Sequence, residues 1–163
     1  MNEVIYFAGG CFWGIEYHMQ QHHGVVSTTV GYMGGHITNP DYQTVCQGHT
    51  GHLEVVKVVY QPDIIDFNTL AKCFFEIHDP TQTDGQGADI GPQYLSAVFY
   101  TTNQQAHLIK ALIHRLIQQG LEVTTQCQPA DTFYPAENHH QNYIQRHGHH
   151  VLCHRRVKRF TFD

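Results

Sequence analysis

The chain has 163 residues, 41% of them apolar, enough to bury one sizeable core and short enough to read as a single catalytic domain spanning 1–163. Its formal charge of −5 hides an asymmetry: residues 1–137 carry four Lys or Arg against thirteen Asp or Glu, and 138–163 carry five against one, so 145–163 reads as a basic, His-rich tail. Disordered and collagen-like chains are excluded, no apolar stretch approaches the roughly 20 residues of a membrane span, and Met1-Asn2-Glu3 has an acid where a secretory signal carries basic charge. A soluble, cytoplasmic monomer is expected. The tail could attract nucleic acid, but it has no alternation of aromatic and basic residues and the body is acidic, so neither nucleic acid nor membrane is expected as a partner. Five cysteines are too few for a disulfide scaffold and their odd number suits a reducing compartment, where a thiol can serve chemistry.

Glu3 to Ala8 is a short run of β-branched and aromatic residues closed by Gly9-Gly10, and it predicts a buried strand. Phe12, Ile15 and Met19 follow at helical spacing, with Gly24 as the stop. Val25 to Tyr32 alternates as a second strand, and Leu53 to Tyr60 is the clearest strand in the chain. Between them, 33–52 is a loop rich in Gly, Asn, Pro and His, a length that marks function or disorder. Asp66 caps a helix whose stripe is Leu70, Cys73, Phe74 and Ile77, and Pro80 forbids its continuation. A polar, Gly-rich loop at 81–93 leads to a strand over Leu95 to Tyr100. A helix over 104–119, a strand over Glu122 to Cys127 and a short helix over 136–146 complete the list. The order β-α-β-β-α-β, with an extra helix and strand and an irregular C-terminal tail, is that of an α+β, ferredoxin-like split β-α-β sandwich.

Cys11 lies where a strand ends, two glycines allow close backbone approach and a helix begins. Unpaired N–H groups and the positive end of the helix dipole favour a thiolate there, which suits a nucleophile. The same place suits a small buried hydrophobe, since free cysteines are among the most buried residues. Phe12 and Trp13 beside it suit either a pocket for a small apolar group or ordinary core packing.

Gly10-Cys11-Phe12-Trp13-Gly14 resembles the active-site motif of the type A peptide-methionine sulfoxide reductases. Continuing in order, Gly31-Tyr32-Met33-Gly34-Gly35, Asn39-Pro40-Asp41-Tyr42, Val45-Cys46-Gln47-Gly48, Thr50-Gly51-His52-Leu53-Glu54, His78-Asp79-Pro80-Thr81, Gln86-Gly87-Ala88-Asp89 and Gln93-Tyr94 resemble successive blocks of that family. Phe133-Tyr134-Pro135-Ala136-Glu137 and His140-Gln141 extend the resemblance over about residues 4–144. It implies reduction of the S epimer of methionine sulfoxide, free or in oxidised proteins, with thioredoxin as reductant and with no cofactor and no metal; one enzyme serves each sulfoxide epimer.

Reducing a sulfoxide means attacking its sulfur with a thiolate while the oxygen leaves as water, so the site needs a nucleophile and a proton source. Cys11 is the first. Glu54 is the candidate for the second, because its strand parity groups it with Val56, Val58 and Tyr60, and an apolar face disfavours a carboxylate's charge. By analogy with the family, Tyr42 and Tyr94 hydrogen-bond the sulfoxide oxygen, Asp89 fixes the bound substrate, and Phe12 and Trp13 line its pocket. Cys11 then becomes a sulfenic acid that a second thiol condenses to a disulfide. Cys73 falls on the core stripe, and Cys153, thirteen residues beyond His140 and close to where relatives place a resolving cysteine, is the expected resolver, with Cys46 or Cys127 next.

The chain departs from the family at Leu152-Cys153-His154-Arg155-Arg156, where relatives usually have glycines, and at Pro92 and Leu95, where they commonly have Thr and Arg. Two rival readings use the same residues. A metal-binding module could be built from His147, His149, His150, Cys153 and His154, although the two-plus-two spacing of a structural zinc site is absent. A cysteine hydrolase could pair Cys11 with a histidine and a carboxylate, but no motif supports it.

Overall fold

The elements run β1 (Glu3–Ala8), α1 (Phe12–Gln20), β2 (Val25–Met33), α2 (Tyr42–Cys46), β3 (Leu53–Tyr60), α3 (Phe67–Ile77), the two-residue strands β4 (Gly85–Gln86) and β5 (Asp89–Ile90), β6 (Ala97–Tyr100), α4 (Asn103–Gln118), β7 (Gln126–Pro129), β8 (Tyr134–Pro135) and α5 (Tyr143–His147) in the computed structural model, which describes residues 1–149 and 154–160. Six strands form one sheet in the order β7-β6-β1-β3-β2-β8. The central four, β6-β1-β3-β2, pair antiparallel throughout, which is the ferredoxin-like, split β-α-β arrangement of an α+β fold. The extra strand β7 joins β6 in parallel, and β8 covers the outer edge of β2. Among the described residues no helix is long and apolar enough to cross a membrane.

Strand alternation divides the core. Val56, Val58 and Tyr60 of β3 face α1, α3 and α4, where Phe12, Ile15, Met19, Leu70, Phe74 and Leu112 complete the main cluster. Phe7 stacks on Phe74 at 4.7 Å between centroids, and a fully buried side chain of this size contributes roughly 1.5–3 kcal/mol. Leu53 and Val55 point to the other face, with Ala8, Met33, Ala97 and Phe99.

The differences from the predicted elements have local causes. The loop 33–52 contains α2, whose start is a capping box: Asp41 accepts the Thr44 N–H at 2.8 Å and the Thr44 hydroxyl receives the Asp41 N–H. Five residues with Val45 alone buried leave no periodic signal. The loop 81–93 folds into the β4-β5 hairpin and a 3₁₀ turn at Pro92–Tyr94, so β6 begins at Ala97. The last long strand lies at 126–129, because Thr124 donates its N–H to Pro80 O at 2.7 Å instead of joining the ladder. The helix expected over 136–146 is broken into a 3₁₀ turn at Asn138–His140 and α5 by Asn142, whose φ of 55° is left-handed. Of the tail, 145–147 belong to α5, and the described residues 154–160 have no regular secondary structure yet lie docked, with His154 and Phe160 buried.

Candidate active site

The turn from β1 to α1 sets the central thiol. Gly10 sits at φ +93°, and a Cβ there would come 2.7 Å from the Gln86 Cβ, so neither the backbone angle nor the space admits a larger residue. Cys11 occupies the N-cap of α1, buried at 9% exposure and beside the helix's unsatisfied N–H groups. One of these, the Phe12 N–H, donates to Glu54 Oε1 at 3.1 Å. Glu54 is 2% exposed on the helix-facing side of β3, so a buried carboxyl from the next central strand closes the end of the helix that carries the thiol.

Aromatic rings surround this point. The Phe12 ring lies 5.8 Å from Tyr32, 6.2 Å from Tyr42 and 5.6 Å from His140. Trp13 stacks on Tyr143 at 3.7 Å and donates its indole N–H to His140 Nδ1 at 3.2 Å. A neutral His140 ring therefore carries its proton on Nε2, which is buried without a hydrogen-bond partner among the described residues. Burial, and then the neighbouring His139, push the His140 pKa down.

Tyr42 opens α2 and Tyr94 ends the 3₁₀ turn, so the two loops deliver both phenols to the same region. Burial and then the nearby Glu54 carboxyl push both phenol pKa values well above the ordinary tyrosine value, which keeps them as O–H donors. Cys46, an exposed residue of α2, has its thiol beside both tyrosines, and partial burial pushes its pKa up. Asp89, half-buried on the β4-β5 hairpin, lies close enough for its charge to raise Tyr94 further. Thus Cys11, Phe12, Trp13, Glu54, Tyr42, Tyr94 and Asp89 converge, Cys73 is core at 2% exposure, Cys127 is half-buried on β7, and Cys153 lies outside the described residues. Of the residues considered for a metal module, His150 and Cys153 also lie outside, and the described residues contain no group of three or more His, Cys, Asp or Glu placed to hold a metal ion.

Glu137 is a residue that spacing did not single out. Its Oε1 accepts from the Tyr32 hydroxyl and its Oε2 from the Tyr42 N–H, each at 3.1 Å, tying α2 to the floor of the sheet. Burial pushes its pKa up, but backbone hydrogen bonds and the Tyr32 hydroxyl outweigh this and hold the carboxyl below the usual range. The only sequence signal for Glu137 and His140 was their place in the family-like blocks; the contact from Glu137 to Tyr42 spans 95 residues.

A ferredoxin-like α+β frame that sets a cysteine at a helix N-terminus against a buried carboxyl, two tyrosines and a Phe-Trp pair defines a cysteine-dependent enzyme. A family model described as peptide methionine sulfoxide reductase matches residues 3–162, and the chain belongs to that family. It is 46% identical over 143 residues to the peptide methionine sulfoxide reductase MsrA of Methanothermobacter thermautotrophicus, covering 86% of this chain and 85% of the relative. Reduced Mxr1 from Saccharomyces cerevisiae is similar in structure, with a TM-score of 0.83, 34% identity, and coverage of 90% of this chain and 86% of Mxr1. Mxr1 in complex with Trx2 superposes with a TM-score of 0.62 at 24% identity, over 98% of this chain and 91% of that one.

Proposed function

We propose that the protein reduces the S epimer of methionine sulfoxide, free or in oxidised proteins, to methionine, as a monomeric single domain of a reducing, cytoplasmic compartment. The observation that carries the mechanism is the bond from the Phe12 N–H to Glu54, which places a buried carboxyl beside the helix end that bears Cys11. The helix N-terminus favours the Cys11 thiolate, which attacks the sulfoxide sulfur. Glu54, removed from water, donates the proton that the developing oxyanion needs, and the Tyr42 and Tyr94 hydroxyls stabilise it. Phe12 and Trp13 hold the methyl end of the substrate, and Asp89 orients the rest. The protonated oxygen passes from the substrate sulfur to the Cys11 sulfur as the substrate S–O bond and the new S–S bond break, so methionine leaves with its sulfur reduced and Cys11 is oxidised to a sulfenic acid.

Cys153 then condenses with the sulfenic acid, releasing water and forming a disulfide that thioredoxin reduces. The relative Mxr1 has been captured with Trx2, in keeping with a dithiol protein as electron donor. The decisive experiment offers separated S and R epimers to wild type, Cys11→Ser and Cys153→Ser, with thioredoxin or a small dithiol as reductant, and measures methionine formed. Wild type is expected to turn over the S epimer alone and Cys11→Ser neither. Turnover by Cys11→Ser overturns the mechanism, whereas full thioredoxin-driven turnover by Cys153→Ser overturns only the assignment of the resolver.

A further inference from the structure

The described part of the basic tail, residues 154–160, is fixed to the molecule at two points that the chemistry above does not use. At the first, His154 is 5% exposed against the turn that carries Cys11: its Nε2–H donates to Gly9 O at 2.7 Å, and its own carbonyl accepts from His18 Nε2 at 3.2 Å. The imidazole fills a slot left open by glycine. A Cβ on Gly14 would overlap His154 Nδ1, which explains a glycine inside α1, where alanine favours the helix.

At the second point Glu76, 2% exposed near the end of α3, gathers the tail's donors. Arg156 reaches Oε1 through Nε at 2.9 Å and Nη2 at 2.7 Å, and the backbone N–H groups of Arg159 and Phe160 reach Oε2 at 2.9 and 3.2 Å. The Glu76 carbonyl takes the Val157 N–H at 2.6 Å, Arg159 Nε donates to Phe75 O at 2.8 Å, and Phe160 is buried in the core. A buried carboxylate is tolerated where both oxygens are matched by donors, and among the described residues every hydrogen bond to this one comes from the tail. A cavity of about 280 Å³ between the tail and the β4-β5 hairpin is lined by Asp79, Gln86, Asp89, His154, Arg155 and Arg159, so the docked tail shares a wall with the candidate substrate carboxylate.

We propose that Glu76 and His154 form a latch that docks residues 154–160 at the Cys11 turn, making Glu76 a positioning residue for the resolving step. The inference rests on the reading of Cys153, the residue before His154, as the resolver. In that step the S–O bond of the Cys11 sulfenic acid breaks, an S–S bond to Cys153 forms, and the thiol proton leaves with the hydroxyl as water. The Cys153 sulfur is oxidised as the sulfenic sulfur is reduced. With His154 held at Gly9, the chain is anchored at the Cys11 turn one peptide link from the thiol-bearing residue, which raises the effective concentration of that thiol for the sulfenic acid.

The test compares Glu76→Gln and Arg156→Ala with wild type; Arg156 is 54% exposed, so its variant folds even if the buried change does not. Amide hydrogen exchange at Val157, Arg159 and Phe160 reports docking. Disulfide formation after one equivalent of S-sulfoxide reports the resolving step, and turnover with a small dithiol that reduces the sulfenic acid directly reports the first step. The expected result is faster exchange, disulfide formation slowed about tenfold, and dithiol-driven turnover within about twofold of wild type. Undocked amides with disulfide formation at the wild-type rate overturn the latch, as does an equal loss in both turnover assays. Cys153→Ser separates the two readings: if it retains thioredoxin-driven turnover, the resolver assignment fails first and the latch with it. If Cys153→Ser is inactive with thioredoxin while the latch variants resolve normally, the latch alone fails.

Discussion

Two segments meet at the Gly9 carbonyl, and they are built in opposite ways. The Cys11 turn is made of consecutive residues, Ala8 to Phe12, held between a strand paired on both sides and a helix capped from β3. The strap at 154–160 has no ladder and no helix; its hold is a buried carboxylate 80 to 84 residues away and a carbonyl 145 residues away. The proposed nucleophile needs fixed geometry, and Cys11 follows closely on the rigid sheet. The proposed resolving arm must approach and withdraw, and a hold made of a few polar contacts opens locally at lower cost than the core.

The largest expected effect separates chemistry from architecture at the turn. Glu54→Gln keeps an amide oxygen to accept the Phe12 N–H and cannot act as the proton donor, so kcat should fall roughly 10²–10⁴-fold while thermal stability changes little. Equal losses of kcat and stability would instead make Glu54 a structural cap.

Acid distinguishes the two segments next. His78 packs beneath Gly9, donating Nδ1–H to Phe74 O and accepting the Ser96 hydroxyl at Nε2, and burial pushes its pKa down to about 3. The unfolded state takes up this proton first, so global stability is complete above about pH 6.5 and falls by roughly 1.4 kcal/mol per pH unit below it. Burial pushes the Glu76 pKa up, but the Arg159 N–H, the Arg156 side chain and the Phe160 N–H together hold it below the usual range. Its contribution is complete above the ordinary value of 4.5 and is lost as pH falls through the lower folded value. Chemical denaturation between pH 7 and 4 should therefore show the fold weakening before the strap's carboxylate titrates. A flat profile down to pH 5 would mean that His78 titrates normally.

Gly14→Ala acts at the junction and has the smallest effect on the fold. The helix gains up to ~1 kcal/mol of propensity, while the new Cβ displaces the His154 ring. Exchange protection at Val157 should survive, since Glu76 holds it, and that of the His18 ring contact should be lost, seen as a shift of the His18 imidazole resonances. Unchanged His18 resonances would show that the slot tolerates a methyl group.

The same division governs what could be read in advance. The α3 stripe and the parity of Glu54 follow from periodicity, because burial on a sheet or helix repeats every two or every three to four residues, and β1 follows from its run of β-branched and aromatic residues closed by glycines. Cys11 was legible for a related reason: strand end, glycines, thiol and helix start are adjacent in the chain, so their physics is local. The short helix α2 and the β4-β5 hairpin were not, since elements of five and two residues carry too few positions for a pattern.

Glu76 shows the limit most plainly. On α3 it lies outside the stripe of Leu70, Cys73, Phe74 and Ile77, so no periodicity marks it for burial. Only folding brings Arg156, Arg159 and Phe160 to it, and only their donors turn a costly buried charge into an anchor. Glu137 and His140 likewise gain their partners, Tyr42 and Trp13, across 95 and 127 residues. The sequence alone determined the α+β order, the place of Cys11 between a strand end and a helix start, and the parity of Glu54 on its strand, because each is written in neighbouring residues or in a repeat. The tertiary structure decided which polar groups hold the two loops and the tail in place, because a hydrogen bond between distant segments leaves no periodic trace in either one.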